Sequence, residues 1–186
     1  MLMLYEFGDF NLKDKFKPVW ERDNGFALGS GGVFLVIESK EHAQARGVKP
    51  YAKLTNVIAD RAKRKATGDV TATLDGLWSK IGTVGQDSAI ITGATGAAPV
   101  TAEERAFLAK HRDTPVRASG TAFGHAVEAQ FALGIALAAL SISRGALFPA
   151  NDTTGVEIEM TKPLSQIVVI GAGHWRGEGM ALVEAV

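Results

Sequence analysis

The sequence predicts an α/β fold, and three observations carry that expectation. Short apolar runs rich in β-formers alternate with segments of helical spacing. The chain closes on two apolar runs joined by a glycine-rich turn. Between Ala126 and Ser143 an alanine- and leucine-rich stretch carries only Glu128 and Gln130 as strongly polar side chains. Alternating strands and helices produce a sheet covered by helices. A helix apolar around nearly its whole circumference belongs in a large core or in a membrane. Here the small residues Ala126, Ala129, Ala132, Ala136 and Ala139 allow another backbone to come close. That places a long buried helix, about 125–143, between layers of a core, with no membrane span expected. A chain of 186 residues is expected to form one domain over 1–186, with an irregular lead-in over 1–24.

The elements follow in order. The lead-in is aromatic (Tyr5, Phe7, Phe10, Phe16, Trp20) and shows no regular period. Val33–Ile37 is a continuous apolar run that reads as a strand buried on both faces. The glycines before it suit a bend or close backbone approach. Ser39 caps a helix of about two turns that ends at Gly47. Tyr51–Ile58 reads as a strand. Residues 59–69 form a polar connection with a basic cluster, where a phosphate or acidic partner could dock; the plainer reading is a solvated loop. Asp69 is placed to cap a helix carrying Val70, Leu74, Leu77 and Trp78. Ser88–Ile91 is a short strand, and 92–99 is a loop of small residues. Thr101-Ala-Glu-Glu104 reads as a capping box before a helix to about His111. Pro115–Ala118 is a brief strand before the long helix, and 148–155 is a loop. Gln166–Ile170, the turn over 171–179 and Met180–Ala185 form the closing hairpin.

Composition excludes several function classes. Twenty basic residues balance twenty acidic ones, so bulk charge gives no argument for nucleic acid or an anionic membrane. The 186 residues hold no cysteine, which removes disulfides, thiolate metal sites and a thiol nucleophile from them. The apolar start meets Glu6 and Asp9 without a basic region before it, so no signal peptide is expected and the chain reads as cytoplasmic.

His125 is the candidate catalytic residue. A histidine at the start of a buried helix can donate a hydrogen bond to a carbonyl or stabilise a developing anion, although a structural role fits the same position. His174 sits in the glycine-rich turn, where it could line a pocket. His42 and His111 are expected to be exposed. No set of histidines or carboxylates has metal-ligand spacing, so no metal is expected. The turn over 171–179 lacks both a following helix and the Lys-Ser/Thr pair of a phosphate-binding loop, so no nucleotide or other cofactor is expected.

Several motifs combine into a resemblance. Trp20-Glu-Arg-Asp-Asn-Gly-Phe-Ala-Leu-Gly-Ser-Gly-Gly-Val-Phe-Leu-Val-Ile-Glu38 is followed by Glu41-His-Ala-Gln-Ala-Arg-Gly47. Gly124-His125 then opens the alanine-rich stretch, Phe148-Pro-Ala-Asn151 follows, and a glycine-rich turn and strand close the chain. In this order the motifs resemble the C-terminal half of the β-ketoacyl-acyl-carrier-protein synthases, condensing enzymes of thiolase-like fold. The resemblance implies a mixed sheet packed by helices, with the long helix set against its counterpart in another half.

It also implies a chemistry. In that family a cysteine accepts an acyl group from acyl carrier protein, and two histidines assist decarboxylation of a malonyl thioester and Claisen condensation. A lysine supports the site. Here the family's cysteine falls in a segment before Met1. The first histidine falls at Gly93, the lysine at Gly120 and the second histidine at His125. The closing turn aligns Trp175 with a gating phenylalanine, so Trp175 and His174 are expected in a substrate pocket.

Three readings follow. The first is a silent synthase homologue of fatty-acid or related acyl-chain synthesis that partners an intact synthase. The second is a composite enzyme whose cysteine comes from another chain. The third is a folded remnant. Acyl carrier protein is the implied partner, and a homo-oligomer or hetero-oligomer, a dimer in the simplest case, is the implied assembly.

Overall fold

In a computed structural model the structure describes residues 17–186. Tyr5, Phe7, Phe10 and Phe16 of the lead-in lie outside the described residues.

Five strands form one mixed sheet. They are β1 (Lys53–Asp60), β2 (Ser88–Thr92), β3 (Val116–Ala118), β4 (Gln166–Ala172) and β5 (Glu178–Glu184), in the order β1-β5-β4-β2-β3. β2 runs parallel to both β3 and β4, while β4, β5 and β1 are antiparallel neighbours. β2 is buried along its whole length, as expected of a central strand covered on both faces.

The two-residue period of each strand sorts the core into two layers. Ile90, Val168, Ile170, Met180 and Leu182 face one side. There they meet Val70, Leu74 and Leu77 of helix α2 (Asp69–Trp78) and Phe107 of helix α3 (Val100–Leu108). Ala89, Ile91, Ile167, Val169, Ala181 and Val183 face the other side, where they meet Ala138 and Ile142 of helix α5 (Gln130–Arg144). Each fully buried isoleucine or leucine contributes about 2 kcal/mol of hydrophobic stabilisation. Two short helices, α1 (Lys40–Ala45) and α4 (Ser119–Phe123), complete the set. Ser39 caps α1 as expected, accepting from the backbone N–H of His42.

Besides Asp69, which does not cap α2 because Gly68 holds that position and the Asp69 carboxylate accepts from the Lys65 and Ala66 N–H groups, four expectations need correction. First, the long helix begins at Gln130 rather than near 125. Gly124 takes φ +70°. The backbone of His125 then bonds sideways, its N–H to the Ala27 carbonyl at 2.8 Å and its carbonyl to the Gly29 N–H at 3.1 Å. Those bonds replace the helical ones, and a 3-10 turn over Val127–Ala129 makes the transition.

The helix is also not buried all round. Only 28% of residues 127–144 are buried. Its sheet side uses Gly134, where an added Cβ would stand 2.7 Å from Val169 Cγ1, so close approach is achieved there and at Ala138. Together with the 3-10 turn before it, the stretch Val127–Arg144 is long and apolar enough to cross a membrane, which core helices also satisfy.

Second, Val33–Ile37 forms no strand. The sheet ends at β1 and β3, and no strand among the described residues pairs with this run. Without a ladder its backbone gains no sheet hydrogen bonds. Phe34, Val36 and Ile37 are 100%, 84% and 71% exposed.

Third, no capping box forms at Thr101. Pro99 occupies the cap position of α3, and the Thr101 hydroxyl accepts from the Gly96 N–H. Glu103 reaches across to the N-terminus of α2, where its carboxylate accepts from the N–H groups of Val70 and Thr71 at 2.8 and 3.0 Å. An acceptor with negative charge satisfies that helix end well. Fourth, His111 is half-buried between Trp78 and Phe107, with ring centroids 4.2 and 4.8 Å away.

Candidate functional site

The parallel strands β2, β3 and β4 all end on one edge of the sheet. The loop over 93–99, the segment 119–125 and the turn over 173–177 leave from those ends. Crevices at the carboxyl ends of parallel strands are where α/β folds place ligands.

The stretch over 19–29 is stapled onto these loops. Arg22 spreads its guanidinium over three carbonyls: Lys17 at 2.9 Å, Thr95 at 2.6 Å and Gly120 at 3.1 Å. Trp20 Nε1 donates to Glu157, whose same carboxylate oxygen accepts from the Ala118 N–H. The Gly25 N–H donates to the Gly96 carbonyl at 3.0 Å.

Gly29 and Gly124 then meet backbone to backbone. A Cβ on Gly29 would stand 1.8 Å from the Phe123 carbonyl oxygen, and one on Gly124 would stand 2.7 Å from the Gly29 nitrogen. Only glycine fits at both positions, which confirms the close approach expected of the glycines before Val33.

This stapling fixes His125, which is 8% exposed. His174 comes to it from the closing turn. The two ring centroids are 4.9 Å apart with planes at 40°. Phe26 packs on both, at 5.5 Å from His125 and 5.1 Å from His174. His174 Nε2 shares a hydrogen bond with the Thr95 hydroxyl at 2.8 Å.

Burial pushes the His125 imidazole below its ordinary range, against an opposing hydrogen bond with Gln130 and the charge of Glu128. Burial pushes His174 down to about 4, helped by His125 and by the positive charge of Arg64. Both imidazoles are therefore neutral near pH 7, each with one N–H donor and one acceptor nitrogen. Such a pair beside a hydroxyl and an aromatic ring can hydrogen-bond a carbonyl oxygen, or an oxyanion that grows from it. No group of histidine, aspartate or glutamate suited to a metal occurs among the described residues.

Gly93 and Gly120, where the resemblance sets the family's first histidine and lysine, occupy filled surroundings. A Cβ on Gly93 would be 3.3 Å from Cγ of Gln130. The Gln130 amide is held by Ser119 Oγ at 2.7 Å and by the Ala126 N–H, also at 2.7 Å. A Cβ on Gly120 would be 2.6 Å from the Ala94 carbonyl oxygen. Next to the site, Val127 holds φ +53°, a conformation that β-branched residues avoid.

Of the residues anticipated from sequence, His125 and His174 come together. Trp175, on the same turn, stays 53% exposed. His42 lies on exposed α1, near Glu38. Sequence reasoning missed Arg22, Phe26, Thr95 and Arg64. Arg22 and Phe26 stand inside the most specific motif of the chain, so that motif was the available signal for both. Arg64 gave none, being one basic residue in a cluster of several.

Comparison with known proteins bears on the fold and on the sequence. No protein-family model matches the chain. It is 28% identical over 150 residues to the oxytetracycline polyketide β-ketoacyl synthase 1 of Streptomyces rimosus, covering 72% of this chain and 34% of that protein. It is 50% identical over 36 residues to the 3-oxoacyl-[acyl-carrier-protein] synthase 2 of Vibrio cholerae, covering 19% of this chain and 9% of that protein.

Among solved structures, the ishigamide ketosynthase/chain length factor superposes with a TM-score of 0.77 at 17% identity, covering 100% of this chain and 50% of that one. A type II polyketide ketosynthase, bound to a hexaketide and in complex with its acyl-carrier protein, superposes with a TM-score of 0.73 at 18% identity, covering 89% and 46%. The fold is that of the thiolase-like ketosynthases, and the sequence resembles the β-ketoacyl synthases. The chain spans half or less of each of these relatives.

Proposed function

We propose that this chain is a β-ketoacyl synthase-like component of polyketide or fatty-acid assembly that works with a second synthase chain and performs no condensation by itself. The observation that carries the reading is the state of the site. His125 is retained, buried and neutral, while Gly93 and Gly120 lie in filled surroundings and these 186 residues offer no thiol. Condensation needs a thiolate to hold the acyl group and donors for the carbanion formed on decarboxylation. A site without the nucleophile can bind or decarboxylate a thioester but cannot form the acyl-enzyme.

In this reading His125 is the catalytic residue retained from the family, His174 and Trp175 line the substrate pocket, and the acyl group arrives on an acyl carrier protein. The exposed Val33–Ile37 run and the open side of α5 favour a partner chain that completes the fold, because apolar surface of this kind marks contact sites. Co-expression of the tagged chain with an intact, cysteine-bearing synthase tests this. A stoichiometric complex on size exclusion is expected. A chain that elutes alone, with no affinity for any synthase or carrier protein, would support the folded-remnant reading instead.

A further inference from the structure

The closing turn over 173–177 is gripped from outside the site. Arg64 leaves the polar connection after β1 with φ +51°, in the left-handed region that arginine rarely adopts. Its guanidinium donates to the His174 carbonyl, the Gly173 carbonyl and Oε1 of Glu178, each at 2.6 Å. The Glu178 side chain is fully buried, and its other oxygen accepts from the Ala62 N–H at 2.7 Å. The turn also closes on itself, the Gly173 N–H donating to the Gly177 carbonyl at 2.8 Å. One fork therefore ties the connection after β1, the base of β5 and the two carbonyls flanking the His174 amide.

We infer that Arg64 is the positioning residue of the histidine pair: anchored on Glu178, it holds the turn so that the His174 ring stays against His125 and Thr95. A lysine cannot do the same. It presents a point charge, whereas the planar guanidinium has five donors in fixed directions and meets two carbonyls and a carboxylate together. A bond to a buried carboxylate is also hard to exchange for water, since the carboxylate would be left unpaired. The turn is thus held in one place, and its histidine belongs to the site whether or not a ligand is present. The value of this arrangement for thioester chemistry rests on the function proposed above; the positioning itself does not.

The test uses histidine ring NMR on the full chain, with the four histidines assigned by single substitution. Parent, Arg64→Lys, Arg64→Gln and Glu178→Gln are titrated from pH 3.5 to 8.5, and the ring-to-ring contact of His125 with His174 is followed by nuclear Overhauser effect. In the parent, His174 is expected to titrate near pH 4 and the contact to be present. Arg64→Lys keeps the positive charge and loses the fork. It is expected to weaken the ring contact and to raise the His174 midpoint by about one pH unit, because the released ring regains water. Glu178→Gln removes the anchor, is expected to act in the same direction, and decides the matter should the lysine variant not fold.

Contact and midpoint unchanged in Arg64→Lys, with a shift only in Arg64→Gln, would mean that Arg64 acts through its charge alone, and would overturn the inference. Complex formation with a cysteine-bearing synthase, measured alongside, separates the two ideas. A parent that binds no synthase but whose ring contact depends on Arg64 defeats the proposed partnership and keeps the positioning role. A parent that forms the complex but whose ring contact ignores Arg64 does the reverse.

Discussion

Substituting Gly124 by alanine measures how firmly the site is stapled. Two separate costs are legible at that position. Gly124 sits at φ +70° and ψ −172°, a region essentially reserved for glycine, where an L side chain costs about 1–3 kcal/mol. The new Cβ would also lie 2.7 Å from Gly29 N and 2.8 Å from Gly29 Cα. These are backbone atoms, which cannot rotate away, and forced overpacking of this kind costs roughly 1–3 kcal/mol. The sum is about 4 kcal/mol, which for a chain of this length lowers Tm by roughly 8–16 °C.

Gly145→Ala is the internal control. Its φ is +69°, but no atom lies within 4 Å of the added Cβ, so it should show only the backbone cost of about 1 kcal/mol. Gly31→Ala has neither cost, since nothing lies near it and its φ is ordinary; it should be neutral. Urea denaturation of the three variants, with slopes compared to the parent, gives the three values. Equal losses for Gly124→Ala and Gly145→Ala would mean that Gly29 and Gly124 do not meet, and the account of how His125 is held would fail.

Three other outcomes are expected. Two buried groups should make stability depend on pH in opposite ways. Glu104, fully buried and donated to by the Thr92 hydroxyl, has its carboxyl pushed up to about 7 by burial. The folded state then holds a proton that the unfolded state releases from about pH 4.5, so stability falls as pH rises from 4.5 to 7, by about 3 kcal/mol in all. His174 is pushed down to about 4, so its contribution is present above the ordinary histidine range and is lost as pH falls from 6.5 towards 4. Denaturation midpoints across pH 4.5–6.5 should rise with pH in Glu104→Gln and fall with pH in His174→Phe; equal profiles in both would refute the assignment. Gly120→Ala, a first step towards the family's lysine, should destabilise by about 1–3 kcal/mol in thermal melts, because its Cβ presses on the Ala94 carbonyl oxygen. Phe34→Glu should leave the melting temperature of the isolated chain unchanged, since the ring is fully exposed, yet weaken co-purification with a synthase chain.

Much of the fold was legible because local signals and tertiary context agreed. Val70, Leu74 and Leu77 repeat at helical spacing, and the structure buries all three. The hairpin of β4 and β5 follows its apolar runs, each of which alternates between the two core layers. Where the reading failed, a distant partner decided the outcome. Val33–Ile37 has the composition of a buried strand, but composition cannot supply the neighbouring strand it needs. Thr101 and Glu104 have the spacing of a capping box, yet Glu104 is drawn to Thr92 and Glu103 to the start of α2. The helix starts later than its apolar composition suggests, because nothing local marks His125 as bonded to Ala27 and Gly29, almost a hundred residues away in sequence.

The site shows the same division. His125 was visible as a histidine next to a glycine at the start of an apolar stretch, and His174 as a histidine in a glycine-rich turn. Their meeting was not visible, because it depends on two segments leaving the co-directional strands β3 and β4 at the same end of the sheet. Arg64 was hidden among charges that point to solvent, and only its partner Glu178, itself buried at the base of β5, distinguishes it.

The most direct test of the central claim is turnover of malonyl- and acyl-carrier-protein substrates, followed by mass spectrometry of the carrier-bound products. It would compare the purified chain, its His125→Ala variant, and the chain co-purified with a cysteine-bearing synthase. The account expects no condensation product from the chain alone, and a rate or product length in the co-purified sample that differs from that of the synthase by itself. A β-ketoacyl product formed by the chain alone and abolished in His125→Ala would contradict it.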